Sequence, residues 1–166
     1  MRKLKNSELR RISVENFKSS IKTPIVVILD NIRSAINVGS VFRTADAFRL
    51  KKIYLCGITP SPPHKDIRKS ALGATKTVDW EYIENTENII LHLKSLGYLI
   101  CSVEQVDDSI MLNKFSNLEK PIAVIFGNEV DGVKQSVIDK SDYCIEIPQI
   151  GTCLLYTSDA ADDSGC

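Results

Sequence analysis

Six short and nearly continuous apolar runs punctuate the chain: "IVVILD" at 25–30, "KKIYLC" at 51–56, "TVDWEYI" at 77–83, "YLICSV" at 98–103, "PIAVIFG" at 121–127 and "YCIEIP" at 143–148. Each is too short for a buried helix, and most are rich in β-branched or aromatic residues, so each reads as a strand with both faces covered. The segments between them carry a helical period. Val38, Val41, Phe42 and Ala45 recur after Asn37, an acceptable N-cap, which predicts a helix from about residue 37 to 48. Ile89, Ile90, Leu93 and Leu96 predict a second helix stopped by Gly97, and shorter helices fit "IRKSALGA" and "VKQSVIDKS". Strands that alternate with helices in this way specify an α/β fold, a mostly parallel sheet with helices on both faces. Ahead of the first strand, "NSELRRISVENFKSS" predicts a short basic amphipathic helix with Ser7 as its N-cap.

At 166 residues the chain suits one core, and its longest aliphatic run, Ile25 to Leu29, is far short of the roughly 20 residues that span a bilayer. A cytoplasmic protein with no membrane partner is the expectation. The net charge of zero conceals a strong asymmetry. Residues 1–76 hold 16 Lys/Arg against 5 Asp/Glu, and residues 77–166 hold 5 against 16. A basic half of this kind suits a polyanion, although two halves that merely neutralise each other would give the same count. The five cysteines show no metal-ligand spacing; Cys56, Cys101 and Cys144 border apolar runs and read as buried thiols, and no metal is expected.

Ligands of such sheets bind beyond the carboxyl ends of the strands. Those ends are here 30–37, 56–66, 104–107, 127–132 and 148–152. The first lacks the G-x-G-x-x-G of a dinucleotide site, and "GNEVDGVK" has glycines at Walker A spacing but a displaced Lys and no following Ser/Thr. The clustered carboxylates of a phospho-receiver are missing beside Asp30. Gly127 and Gly132 remain, permitting tight turns around Glu129, which by itself is as compatible with an ordinary solvated turn.

Taken together, "NIRSAINVGSVFRTADAF", "IYLCGITPSPPHKDIRKSALGA", "VIFGNEVDGV" and "IEIPQIGT" resemble the SpoU-type (TrmH-like) RNA ribose 2′-O-methyltransferases of the SPOUT, or α/β-knot, class, over roughly residues 7–152. The resemblance implies S-adenosylmethionine as cofactor, a homodimeric parent, tRNA or rRNA as partner, and a C-terminal segment threaded as a trefoil knot. It assigns Arg43 as the catalytic arginine with Asn37 supporting it, and Glu129 as a further catalytic candidate. It places the cofactor at Phe126, Gly127, Asn128, Glu129, Ile147, Pro148 and Gly151. A metal-free in-line methyl transfer needs two aligned substrates and a charge that steadies the oxygen becoming anionic, which suits a permanently cationic Arg43 better than proton abstraction by it. The base stays open among Glu129, an RNA phosphate and water. Arg33, Arg43, Lys65, Arg68, Lys69, Arg10 and Arg11 are the expected RNA contacts, whereas His64 carries no expected role and Trp80 and Tyr82 read as packed strand residues.

The resemblance divides the chain into a basic helical extension at 1–20, a methyltransferase domain at 21–152 and a tail at 153–166. The tail, "CLLYTSDAADDSGC" with Cys153 and Cys166, departs from the family's pattern and lacks a hydrophobic period, so it is expected to be foreign to the domain and to leave the cofactor site incomplete. With no sizeable extra RNA-binding domain, tRNA is the preferred target over rRNA. The rival expectation is an RNA-binding module without catalysis, its cofactor site vestigial or broken.

Overall fold

Strand β1 (Thr23–Asp30) is the centre of the molecule because its run of aliphatic residues can bury both faces at once; from Val26 to Asp30 every residue is buried. The computed structural model describes residues 1–5, 8–9, 11–116 and 119–150. In chain order it contains α1 (Val14–Ser19), β1, α2 (Ala35–Ala47), β2 (Leu50–Cys56), α3 (Lys65–Ala71), β3 (Trp80–Ile83), α4 (Thr86–Ser95), β4 (Leu99–Val103), β5 (Ile110–Met111), β6 (Ile122–Phe126), α5 (Gln135–Ile138) and β7 (Tyr143–Glu146). All strand pairs are parallel, in the order β3-β2-β1-β6-β4-β7-β5.

Right-handed crossovers decide which face each helix takes. From β1 to β3 the chain steps outward in one direction, and α2 and α3 lie together over Val27, Leu29, Ile53 and Leu55. The chain then crosses to the other side of β1, to β4 and on to β5 at the far edge, and returns to fill β6 beside β1 and β7 beside β4. Ile89, Ile90 and Leu93 of α4 and Val137 of α5 pack on the opposite face against Ile28, Ile100 and Ile125. Alternation along β1 feeds both cores. Gly39 permits the close crossing of α2 and α3: a Cβ there would stand 2.0 Å from Ser70 Oγ and 2.6 Å from the Ile67 carbonyl oxygen.

Several local expectations are corrected. Asn37 lies inside α2 rather than capping it; the N-cap is Ser34, whose Oγ accepts the Asn37 backbone N–H, so the helix starts two residues earlier. The upstream helix is confined to Val14–Ser19 with Ser13 as its cap, and Ser7 lies outside the described residues. His64 has a definite task, since its Nδ1 caps α3 by accepting the Asp66 N–H at 3.2 Å. Trp80 packs against the core under α2, but Tyr82 is half exposed on the edge strand and donates its hydroxyl to the Gly57 carbonyl. Cys56 and Cys101 are buried, and Cys144 is partly so.

Among the described residues, the α2 face of the sheet is covered over β1 to β3 but not over β6, β4 and β7. There Val103, Val124, Phe126 and Ile147 line a hollow of about 580 Å³, bounded on one side by Asn37, Val41 and Phe48 of and beyond α2. No helix among the described residues is long and apolar enough to cross a membrane. The C-terminal threading expected of a knot lies outside the described residues.

Candidate active site

Strand order reverses between β1 and β6: successive strands run outward from β1 on one side, while β6 begins the other. Their carboxyl ends therefore flank the crevice where open α/β sheets bind ligands. In register, Leu29 stands opposite Phe126, so the loop beginning at Asp30 and the turn beginning at Gly127 leave the sheet at the same level.

The turn is closed on itself. Asn128 and Gly132 exchange both backbone hydrogen bonds, at 2.9 and 3.0 Å, and Asn128 Oδ1 accepts the N–H groups of Val130 and Asp131. Gly132 adopts φ +66°, and a Cβ on Gly127 would lie 2.3 Å from the backbone of Gly132 and Val133, so both positions require glycine. This geometry turns Glu129 away from solvent, leaving it only 9% exposed.

From there the Glu129 carboxylate reaches across to the loop after β1. Its Oε2 accepts the Arg33 N–H at 2.8 Å; its Oε1 accepts the Ser34 N–H at 3.0 Å and the Asn37 side-chain amide at 3.3 Å. Burial pushes this carboxyl up, but the N–H donors of Arg33, Ser34 and Glu129 itself and the Asn37 amide outweigh it and hold the group below the usual range. The position is also the positive end of α2, whose first turn contains no acidic residue of its own. A second strap lies beside it, where the Asn128 side-chain amide donates to the Asn31 carbonyl at 2.8 Å.

Asn31 itself has φ +57°, a conformation that asparagine tolerates when its side chain is engaged. Its amide donates to Asp30 Oδ1 and its Oδ1 accepts the Ile58 N–H. Thr59 Oγ1 accepts the Ile32 N–H and donates toward the Leu29 and Cys56 carbonyls. Asp30 is 1% exposed, and its Oδ1 also takes the Thr86 hydroxyl from the start of α4. Among the described residues Asp30 Oδ2 is the buried side-chain oxygen left without a hydrogen-bond partner. The loop 30–34 is thus fixed from both flanking strand ends before any substrate arrives.

The residues expected at a site fall into three groups. Asn37, Phe126, Gly127, Asn128 and Glu129 come together at the crevice, and Ile147 lines the adjoining hollow with Phe126 and Asn37. Arg33, Arg43, Lys65, Arg68, Lys69 and Arg11 are exposed, as is Pro148. Arg43 is exposed on α2, one helical turn beyond Gly39, and is not among the hydrogen-bond partners of Glu129. Arg10 and Gly151 lie outside the described residues. Sequence reasoning passed over Asn31, Thr59 and Asp30 as builders of the site; a non-glycine residue held at positive φ leaves no mark in hydrophobic period, and only the "DN" at a strand end hinted at a turn.

The model of the SpoU rRNA Methylase family matches residues 24–153. The chain belongs to this family. An uncharacterized tRNA/rRNA methyltransferase of Borreliella burgdorferi is 28% identical over 91% of this SpoU-family chain and 67% of its own length. A 23S rRNA (guanosine-2′-O-)-methyltransferase of Neisseria meningitidis is 29% identical over 78% of the chain and 51% of its own. Most of the curated relatives described for it are about twice as long as the stretch they share with it. Among solved structures, the TrmH/SpoU tRNA modifying enzyme of A. aeolicus superposes with a TM-score of 0.75 at 25% identity, over 89% of this chain and 74% of that one. An AdoMet-bound rRNA methyltransferase from Sinorhizobium meliloti gives 0.75 at 26% identity, over 82% and 52%. The mostly parallel α/β sheet of the SpoU type expected from the sequence is therefore the fold observed, with β5 as a seventh strand that the six apolar runs did not include.

Proposed function

We propose that the parent of this domain transfers a methyl group from S-adenosylmethionine to a ribose 2′-hydroxyl of structured RNA, tRNA in preference to rRNA, as a cytoplasmic homodimer. The observation that carries the reading is the Glu129 clamp, which locks the N-terminal end of α2 at the crevice and thereby fixes the helix bearing Asn37 and Arg43.

The residues present suit the cofactor. Phe126, Val103 and Ile147 offer an apolar wall to an adenine ring, and the turn at Gly127 to Glu129 and the segment that starts at Ile147 are assigned to the rest of a ligand that carries no phosphate. Bound there, S-adenosylmethionine supplies an electrophilic methyl group on a sulfonium. Arg43 is exposed and free to meet RNA, so its guanidinium orients the ribose or a neighbouring phosphate and steadies the oxygen as it loses its proton. Glu129 positions rather than abstracts: a carboxylate with both oxygens engaged and its pKa lowered has little basicity to offer. The base is then a phosphate or water at the RNA. Arg33, Lys65, Arg68 and Lys69, with Arg10 and Arg11 from the extension, hold phosphates. The tail at 153–166 is read as foreign to the domain.

The test is transfer of labelled methyl groups into separate tRNA and rRNA pools, by this chain and by a version carrying a family C-terminal segment after Thr152. Label recovered in 2′-O-methylated nucleosides supports the reading. Label on bases, or RNA retained without label by the repaired version, overturns it.

A further inference from the structure

Strand β4 lies between β6 and β7, so its carboxyl end separates the two segments to which the proposed cofactor site is assigned. Two adjacent residues at that end face opposite ways. Glu104 Oε2 accepts the Val133 N–H at 2.8 Å, while its Oε1 accepts the Gln105 N–H at 2.9 Å. The same carboxylate lies so close over Gly132 that a Cβ there would stand 2.3 Å from Oε2. Gln105 turns the other way: its amide donates to Glu146 Oε1 at 3.2 Å, and Glu146 Oε2 accepts the Ser109 hydroxyl at 2.7 Å. Glu146 is the last residue of β7, immediately before Ile147 and Pro148. The Glu104 backbone N–H also bonds to the Ile145 carbonyl.

We infer that Glu104 and Gln105 are positioning residues, a shared post at the end of β4 that sets the distance between the turn at 127–133 and the segment at 147–150. The inference rests on the cofactor reading above only for what the two segments hold. The chemistry suits the task. One carboxylate oxygen is held by the Gln105 N–H at the end of β4 while the other holds the Val133 N–H of the turn, so the carboxylate ties the turn to the strand end, and each such charge-assisted bond is stronger than a neutral one. Without Glu104 the Gly132–Val133 half of the turn keeps only its own cross-turn bonds, and Glu129, on the same turn, loses part of the support for its reach to α2.

The experiment is residue-resolved amide hydrogen exchange on this chain and on Glu104→Ala, Glu104→Gln and Gln105→Ala, followed by titration of each with S-adenosylhomocysteine. Glu104→Ala should accelerate exchange at 128–133 and at Arg33 and Ser34 together, by about tenfold or more, the factor expected when a hydrogen bond to a charged group is lost. Glu104→Gln, which keeps one acceptor oxygen, should restore most of the protection. Gln105→Ala, an exposed substitution, should affect only 143–150. Where the unsubstituted chain binds S-adenosylhomocysteine, Glu104→Ala should weaken binding by a similar factor. Unchanged exchange at Arg33 and Ser34 in Glu104→Ala overturns the post, as does equal ligand affinity. Coupled exchange upholds the post whether or not this chain binds the ligand; absence of binding by a version that carries a family C-terminal segment after Thr152 counts against the cofactor reading instead.

Discussion

The Glu129 carboxylate accepts the Arg33 backbone N–H at 2.8 Å across a sequence separation of 96 residues. One side chain from the turn after β6 thus does for α2 what a local acidic residue does for most helices, and it does so across the crevice where the strand order reverses.

Removing that carboxylate should cost stability and activity together. Glu129→Ala leaves the Arg33 and Ser34 N–H groups unpaired in a partly buried place, a loss of about 1–3 kcal/mol measurable by urea denaturation. The pH dependence has a definite sign. Because the folded pKa is lowered, the stabilisation is complete above the unfolded Glu value of about 4.3 and drains away as pH falls from there through the folded value. Glu129→Gln should flatten that acid limb; an unchanged limb would assign it to other carboxylates.

Two glycines with positive φ separate strain from collision. Gly97 at φ +81° has open space around it, so Gly97→Ala should cost only the left-handed penalty of about 1–2 kcal/mol. Gly132→Ala at φ +66° should cost more, because its methyl must also displace the Glu104 carboxylate. Chemical denaturation of the pair reads the difference directly.

Gly39→Ala would gain about 1 kcal/mol of helix propensity if space allowed. Here its methyl meets Ser70 Oγ and the Ile67 carbonyl, so the substitution should destabilise. Adding Ser70→Ala should recover only part of the loss, since the Ile67 carbonyl belongs to the backbone of α3 and cannot rotate aside.

The thiols of Cys56 and Cys101 are pushed up to about 12, chiefly by burial. Both should resist alkylation in the folded chain at about pH 8, where an ordinary cysteine is substantially reactive, and both should label on unfolding. Mass-spectrometric mapping of the two peptides checks this.

The sheet and its helices were legible because apolar runs and helical periods are local signals, and β1, α2, α4 and β6 appear where "IVVILD", Val38 to Ala45, Ile89 to Leu93 and "PIAVIFG" place them. The start of α2 was misjudged for a reason that recurs in the site. Asn37 has the chemistry of a cap, but Ser34 takes that role, and what ties Asn37 down is a glutamate far along the chain. Residue types at strand ends pointed to a site; the partnering of Glu129 with Arg33 and Ser34, and of Asn128 with Asn31, depends on the β1–β6 pairing that only the folded sheet supplies. Two-residue β5 carried no period long enough to read.

In the proposed mechanism Glu129 holds and Arg43 acts, and Arg43→Ala tests that division most directly. Arg43 is exposed and does not contribute to the clamp, so the variant should denature within about 0.5 kcal/mol of the parent. In a version carrying a family C-terminal segment after Thr152, the same substitution should lower methyl transfer to RNA by about 100-fold or more, and Arg43→Lys should not restore it. Methyl transfer that survives Arg43→Ala, or that is lost only because the protein unfolds, would contradict the account.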